Sequence, residues 1–168
     1  MSSTVAGEYN GFDFWACDVS SSILLAEMAK AAEEPAPQDT DSWLTALTRE
    51  LRIHAIVGAE HGLPLDEWAD GHENEFISLI EKACERLAAR MAVTAEEASG
   101  RRLLDGRTVI WRGHEQLSTT PIITLGEALV KIIQRKYPPA PAGHWWYFGV
   151  HGPDGPTSTI RMRDEGFA

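Results

Sequence analysis

Histidine, glutamate and arginine are the residue types from which a metal-free site can move protons and hold an anion, and this chain gathers them toward its C-terminal end. Arg112, His114 and Glu115 follow one predicted strand, while His144, His151, Arg161 and Arg163 lie on a terminal hairpin. An imidazole titrates near neutrality, so it can share acid and base work with a carboxylate while arginines hold an oxyanion or phosphate. That is the equipment of a metal-free enzyme acting on a phosphate-bearing or other anionic substrate. On this reading His114, Glu115, His151 and Arg161 are the catalytic groups, provided the two strands are neighbours. The structural alternative gives Arg161 and Arg163 to ion pairs with acidic helices and hides the nearby rings beneath a helix.

The element that must position these groups is the stretch 143–163. Residues 145–151 (Trp-Trp-Tyr-Phe-Gly-Val-His) and 157–163 (Thr-Ser-Thr-Ile-Arg-Met-Arg) read as strands joined by Gly152-Pro153-Asp154-Gly155-Pro156, a β-hairpin. Alternation puts Trp146, Phe148 and Val150 on one face, expected to be the core face and to be joined there by Ile160 and Met162. Trp145, Tyr147, His151, Thr157, Thr159, Arg161 and Arg163 fall on the other. Exposed rings beside arginine are common interface anchors, so Arg112, Trp145, Tyr147 and Arg163 are the expected binding residues.

The preceding chain supplies helices for the other layer. Apolar spacing predicts helices over 22–34, stopped by Pro35-Ala36-Pro37, and over 42–61, closed by Gly62 and Pro64. Asp70 and Glu73 have capping-box spacing ahead of the strongest helix, 73–92, along which Phe76, Ile77, Ile80, Ala83, Cys84, Leu87 and Met91 recur three and four apart. Thr94 with Glu97 starts a short helix, 107–112 is a strand, and 113–119 is a polar loop. Thr120 as cap and Pro121 then open a helix to residue 137. Residues 11–17 alternate as an edge strand, and 1–8 read as a disordered tail before a single domain over 9–168. The expected fold is α+β: a small antiparallel sheet of at least three strands (107–112, 145–151, 157–163) packed against several amphipathic helices, with Trp146, Phe148, Ile160, Phe76 and Leu129 buried.

The remaining histidines carry weaker chemistry. His54 and His61 share a helix face but are seven residues apart, roughly 10 Å along the axis, where metal-binding helices use pairs three or four apart. Cys17 and Cys84 have no paired spacing, so neither a disulfide nor a zinc cluster is expected. Glycine-rich phosphate loops, dinucleotide fingerprints, nucleophile elbows and His-Glu-x-x-His helices are all missing, and no cofactor is expected.

Charge gives the function class. The formal net charge is −10, and it is uneven: residues 1–100 hold 19 acids against 6 bases, residues 101–168 hold 6 against 9. An acidic helical half argues against nucleic acid, whose phosphates require neutralisation, and suits a basic protein partner. No apolar run is long enough for a membrane span, and the N-terminus has neither a basic start nor an apolar stretch, so a cytoplasmic location is expected. The leading expectation is a small cytoplasmic binding protein that recognises a protein partner through either the acidic helical surface or the aromatic and cationic face of the terminal hairpin, of which an immunity or antitoxin-like role is one form. The metal-free enzyme is its alternative.

Overall fold

The computed structural model describes residues 4–34, 42–94 and 116–162. Within these the fold is α+β, with helices packed on one side of a mixed sheet. Thr4–Tyr9 (β1) and Phe12–Cys17 (β2) form an antiparallel hairpin in which Tyr9 pairs with Phe12. Only Asn10 and Gly11 separate them, with φ of 48° and 78°, the doubly left-handed turn that matches strand twist. The tail expected over 1–8 is therefore corrected for residues 4–8, which belong to β1. Val5, Gly7 and Tyr9 point inward, and Phe14 lays its ring over Gly7 so closely that a Cβ there would stand 2.2 Å from it.

Leu63–Pro64 (β3) pairs parallel to β1, and β2 pairs parallel to His144–Phe148 (β6), which pairs antiparallel to Thr157–Arg161 (β7). The order is β3-β1-β2-β6-β7. Two expectations are corrected: the sheet is mixed, and β2 is its central strand instead of an edge. The long helical excursion between β2 and β6 allows them to run in the same direction, as a short turn would not. The strand expected over 107–112 lies outside the described residues. A second ribbon pairs Ala92–Thr94 (β4) with Gln116–Ser118 (β5), where a helix start at Thr94 and a loop were expected.

The helices are Asp18–Ala32 (α1), Trp43–His61 (α2), Leu65–Ala69 (α3), Glu73–Ala88 (α4) and Thr120–Ile133 (α5). α1 starts four residues earlier than expected, directly off β2, and in its first turn Asp18 Oδ1 accepts from the Val19 amide at 2.8 Å. The capping box at Asp70 does not form; His72 occupies the cap position and stacks on Trp43, ring centroids 4.3 Å apart. α4 stops before 92 because Val93 is buried in the β4–β5 ribbon, and α5 stops at Ile133, short of 137. Arg135, with φ of 57°, then turns Tyr137 onto Phe148, 5.1 Å away ring to ring.

The stripes that give helical periodicity are buried: Phe76, Ile80, Ala83 and Leu87 of α4 and Ile122, Leu125, Leu129 and Ile132 of α5. Gly126 brings α4 and α5 together, since a Cβ there would meet Cys84 Sγ at 2.4 Å. Glu27 of α1 is only 1% exposed yet charged partners surround it, with Arg86 Nε at 3.2 Å and an Arg90 nitrogen at 3.0 Å. This ion cluster ties α1 to α4, the arrangement a buried carboxylate requires. No helix among the described residues is long and apolar enough to cross a membrane.

The inner sheet face carries Phe14, Ala16 and Phe148, all essentially inaccessible, with Trp146 half-buried against them. Phe76 and Leu129 are buried as expected, but Ile160 is not on this face. The register sets Trp145 opposite Ile160 and Trp146 opposite Thr159, so Ile160 shares the outer face with Trp145. β6 ends at Phe148 because Gly149 takes φ of 73°, so the eight residues 149–156 separate the strands where the five of 152–156 were expected, and this odd difference reverses the face that Ile160 takes.

Candidate functional site

The outer face of the sheet is defined by its pairings. Ala6 lies opposite Trp15 and Glu8 opposite Asp13 across β1 and β2, and Trp15 is beside Tyr147 across β2 and β6. Continuing that parallel register one residue back sets Trp145 beside Asp13, with Ile160 opposite Trp145 on β7. One row across the sheet thus reads Pro64, Glu8, Asp13, Trp145, Ile160, and the next reads Ala6, Trp15, Tyr147, Ser158. None of the outer-face apolar side chains Trp15, Trp145, Tyr147 or Ile160 is part of the core cluster that the described helices cover.

The two indoles touch. Trp15 and Trp145 have ring centroids 5.9 Å apart with planes at 57°, within the range of favourable aromatic pairs, and each is half-buried. They border an open depression of about 360 Å³ whose other walls include Glu8, Asp13, His61 and Pro64. His61 arrives there because α2 departs from helical geometry at Val57 (φ −114°, ψ 15°). The same bend brings the His54 and His61 rings to 5.8 Å, much closer than the straight-helix spacing of the sequence reading. His54 is nearly buried, its Nδ1 bonded to the Gly62 carbonyl at 3.0 Å and its ring edge-on to Trp68, so it closes the helix end. No group of three or more histidine, cysteine, aspartate or glutamate side chains among the described residues is arranged to hold a metal ion.

Glu8 and Asp13 are both exposed, and neither forms a hydrogen bond or ion pair among the described residues. Like charges directly opposite on paired strands repel, so the arrangement costs stability. The depression therefore combines an aromatic wall and the His61 imidazole with two carboxylates that form no ion pair among the described residues. Such a surface attracts cationic groups by charge and by the negative faces of the indoles.

Of the four groups expected to act together, only His151 and Arg161 lie among the described residues. Arg112, His114, Glu115 and Arg163 lie outside the described residues. Arg161 pairs in register with His144 at the open end of the hairpin, whereas His151 follows the Phe148–Thr157 end. Four strand residues, roughly 13 Å at about 3.3 Å each, lie between those ends, so His151 and Arg161 are not brought together. His144 Nδ1 is 3.0 Å from the Ala142 carbonyl.

His151 instead meets Ser20 at the start of α1. Its Nε2 is 2.9 Å from Ser20 Oγ, and Ser20 Oγ is 2.6 Å from the Gly149 carbonyl. A hydroxyl has one proton, and the carbonyl can only accept it, so His151 is the donor to Ser20. That is the reverse of a serine nucleophile delivering its proton to a histidine base. Ser20 is also fully buried, and Gly149 packs so tightly that a Cβ would stand 2.8 Å from that of Ser20. Ser20, Gly149 and His151 form a latch holding the hairpin loop to the start of α1.

Trp145 and Tyr147 are on the face expected of them, and Tyr147 is engaged in a further interaction. Glu8, Asp13, Trp15 and His61 were missed as site residues. The available signal was Asn10-Gly11, a favoured two-residue hairpin loop, which sets Glu8 against Asp13 as soon as 4–9 is read as a strand. No known protein family, curated protein or solved structure matches this chain.

Proposed function

We propose that this is a small cytoplasmic binding protein that recognises a basic protein partner through the outer face of its sheet. The observation that carries the reading is the juxtaposition of the Trp15–Trp145 pair with the opposed carboxylates Glu8 and Asp13 around one depression. Interfaces concentrate their energy in aromatic anchors, and complementary charge steers the encounter. The net charge of −10 favours approach of a cationic protein at long range. An immunity or antitoxin-like protein is one form of such a binder. The enzymatic alternative has less support, because His151 is committed to the Ser20 latch and Arg161 lies at the far end of the hairpin.

The test begins with partners recovered from cell extract by affinity purification with cross-linking, first with the linker at Thr4 on the outer face and then with it at Lys82 on α4. The outer-face linker is expected to capture a basic protein, whose affinity then falls steeply between about 0.05 M and about 0.5 M salt as screening shortens. Capture through α4 alone, or affinity indifferent to salt, contradicts the proposal.

A further inference from the structure

We infer that the depression between Trp15 and Trp145 receives a single arginine side chain of the partner, with its guanidinium stacked on an indole and its N–H groups directed at Glu8 and Asp13. The inference rests on the binding function proposed above and names what occupies its centre. Three independent features of the outer face converge on this occupant.

The first is size. At about 360 Å³ the depression is near the lower limit of ligand pockets, which run from about 300 to about 1,000 Å³. It suits one extended side chain better than a folded element or a large cofactor. The second is the wall. Trp15 and Trp145 both line the depression, with their ring planes inclined at 57°. Tryptophan gives the strongest cation–π attraction of the aromatic side chains, and a planar guanidinium can stack on it while keeping its edge free for hydrogen bonds.

The third feature is the acceptor set. Glu8 and Asp13 are cross-strand partners on β1 and β2, and the continued register places Asp13 next to Trp145. Directly opposed residues have Cβ atoms about 4.5 to 5.5 Å apart, so the two carboxylates are neighbours rather than a single point charge. Lysine offers a compact, strongly hydrated charge with no flat face. Arginine offers donors on several edges of one plane, is less strongly hydrated, and can meet two carboxylates while stacked. Bound arginine would also relieve the repulsion between Glu8 and Asp13. Their opposition then follows from binding, and it has no cation to offset it among the described residues.

The experiment uses the full chain and three otherwise identical short Gly/Ser peptides with a central arginine, lysine or citrulline; citrulline keeps the shape of arginine without its charge. Binding is read from the indole N–H resonances of the tryptophans and from tryptophan fluorescence. The arginine peptide is expected to shift the Trp15 and Trp145 indole signals and to bind about tenfold or more tightly than the lysine peptide, with no binding of citrulline. Glu8→Gln with Asp13→Asn should weaken the arginine peptide at least about tenfold. Glu81→Gln with Glu85→Gln, which removes the same charge from the exposed side of α4, should change it by less than about twofold.

Equal affinity for lysine and arginine overturns the inference, as does an arginine peptide that binds the two double variants alike. These outcomes are separable from failure of the binding function. A basic partner captured through the outer face whose affinity survives Glu8→Gln with Asp13→Asn sinks the arginine site alone, whereas a partner captured only through α4 sinks both. Circular dichroism of each variant confirms that the fold is retained, and Trp145→Phe, which keeps a ring in place, provides a second readout with an expected intermediate loss.

Discussion

Glu8 and Asp13 face each other across the β1–β2 ladder on the exposed side of the sheet, two carboxylates where a folding optimum would place opposite charges. Like charges in this position typically cost about 0.2 to 1 kcal/mol. Glu8→Gln or Asp13→Asn should therefore raise stability by a few tenths of a kcal/mol up to about 1 kcal/mol. Urea unfolding at low salt measures it, and the gain should shrink as salt is added. A loss of stability in either variant would mean that the carboxylates are held by favourable contacts.

Phe148 joins the sheet to the helical layer. It is fully buried, with Phe14 at 5.8 Å and Tyr137 at 5.1 Å between ring centroids. Phe148→Ala should cost about 3 to 5 kcal/mol, the usual range for deleting a core phenylalanine. Trp145→Ala on the opposite face of the same strand should cost clearly less, and equal losses would reverse the assignment of the faces.

The Ser20 latch separates backbone strain from steric contact. Gly143 and Gly149 both have φ of 73°, but a Cβ at Gly143 meets nothing within 4 Å, whereas at Gly149 it would meet Ser20. Gly143→Ala should cost about 1 to 2 kcal/mol for the left-handed backbone alone, and Gly149→Ala measurably more. Ser20→Ala should cost about 1 to 3 kcal/mol by leaving the Gly149 carbonyl without its donor. Hydrogen exchange should quicken first at Val150, whose amide closes the hairpin loop on the Pro156 carbonyl. Matching losses at the two glycines would remove the packing argument.

Burial pushes the Cys84 thiol up to about 11, with Glu127, Glu81 and Glu85 adding to the effect, and burial also raises Tyr9 and Tyr137. A group whose folded pKa is raised holds its proton more tightly in the native state. Its contribution is complete below the unfolded value and is lost as pH rises through the folded one. Stability should thus decline from about pH 9 toward about pH 11, and Cys84→Ala should make that decline shallower. Superposable alkaline unfolding curves for the two proteins would exclude Cys84 as a cause. At neutral pH the same protonated thiol should react with alkylating reagents only slowly.

Much of the helical layer was legible because its signal is local. Phe76, Ile80, Ala83 and Leu87 repeat at helical spacing whatever they pack on, and the C-terminal end of α2 follows from Gly62 and Pro64. β1 was not legible from its apolar content, since Ala6, Gly7 and Glu8 form no strand-like run. Its inward face is completed by Phe14 lying over Gly7, a contact between strands. The hairpin was visible in its turn residues, but its register was set by where Gly149 leaves the strand. The loop 149–156 is three residues longer than the expected turn, and that odd shift moved Ile160 to the outer face. The candidate site depends on such pairings. Trp145 was visible as a ring on the face away from the core, while Glu8, Asp13 and Trp15 gained meaning only when β2 was placed at the centre of the sheet between β1 and β6.

The account stands most directly on the affinity of the basic partner for the outer face. That affinity should be measured for the wild-type protein and for a triple variant carrying Glu8→Gln, Asp13→Asn and Trp145→Ala, each across a salt series. The triple variant is expected to bind at least about tenfold more weakly at low salt and to show a shallower salt dependence, because both the screened charge and the aromatic anchor are gone. Unchanged affinity and an unchanged salt slope in a folded triple variant would contradict the account.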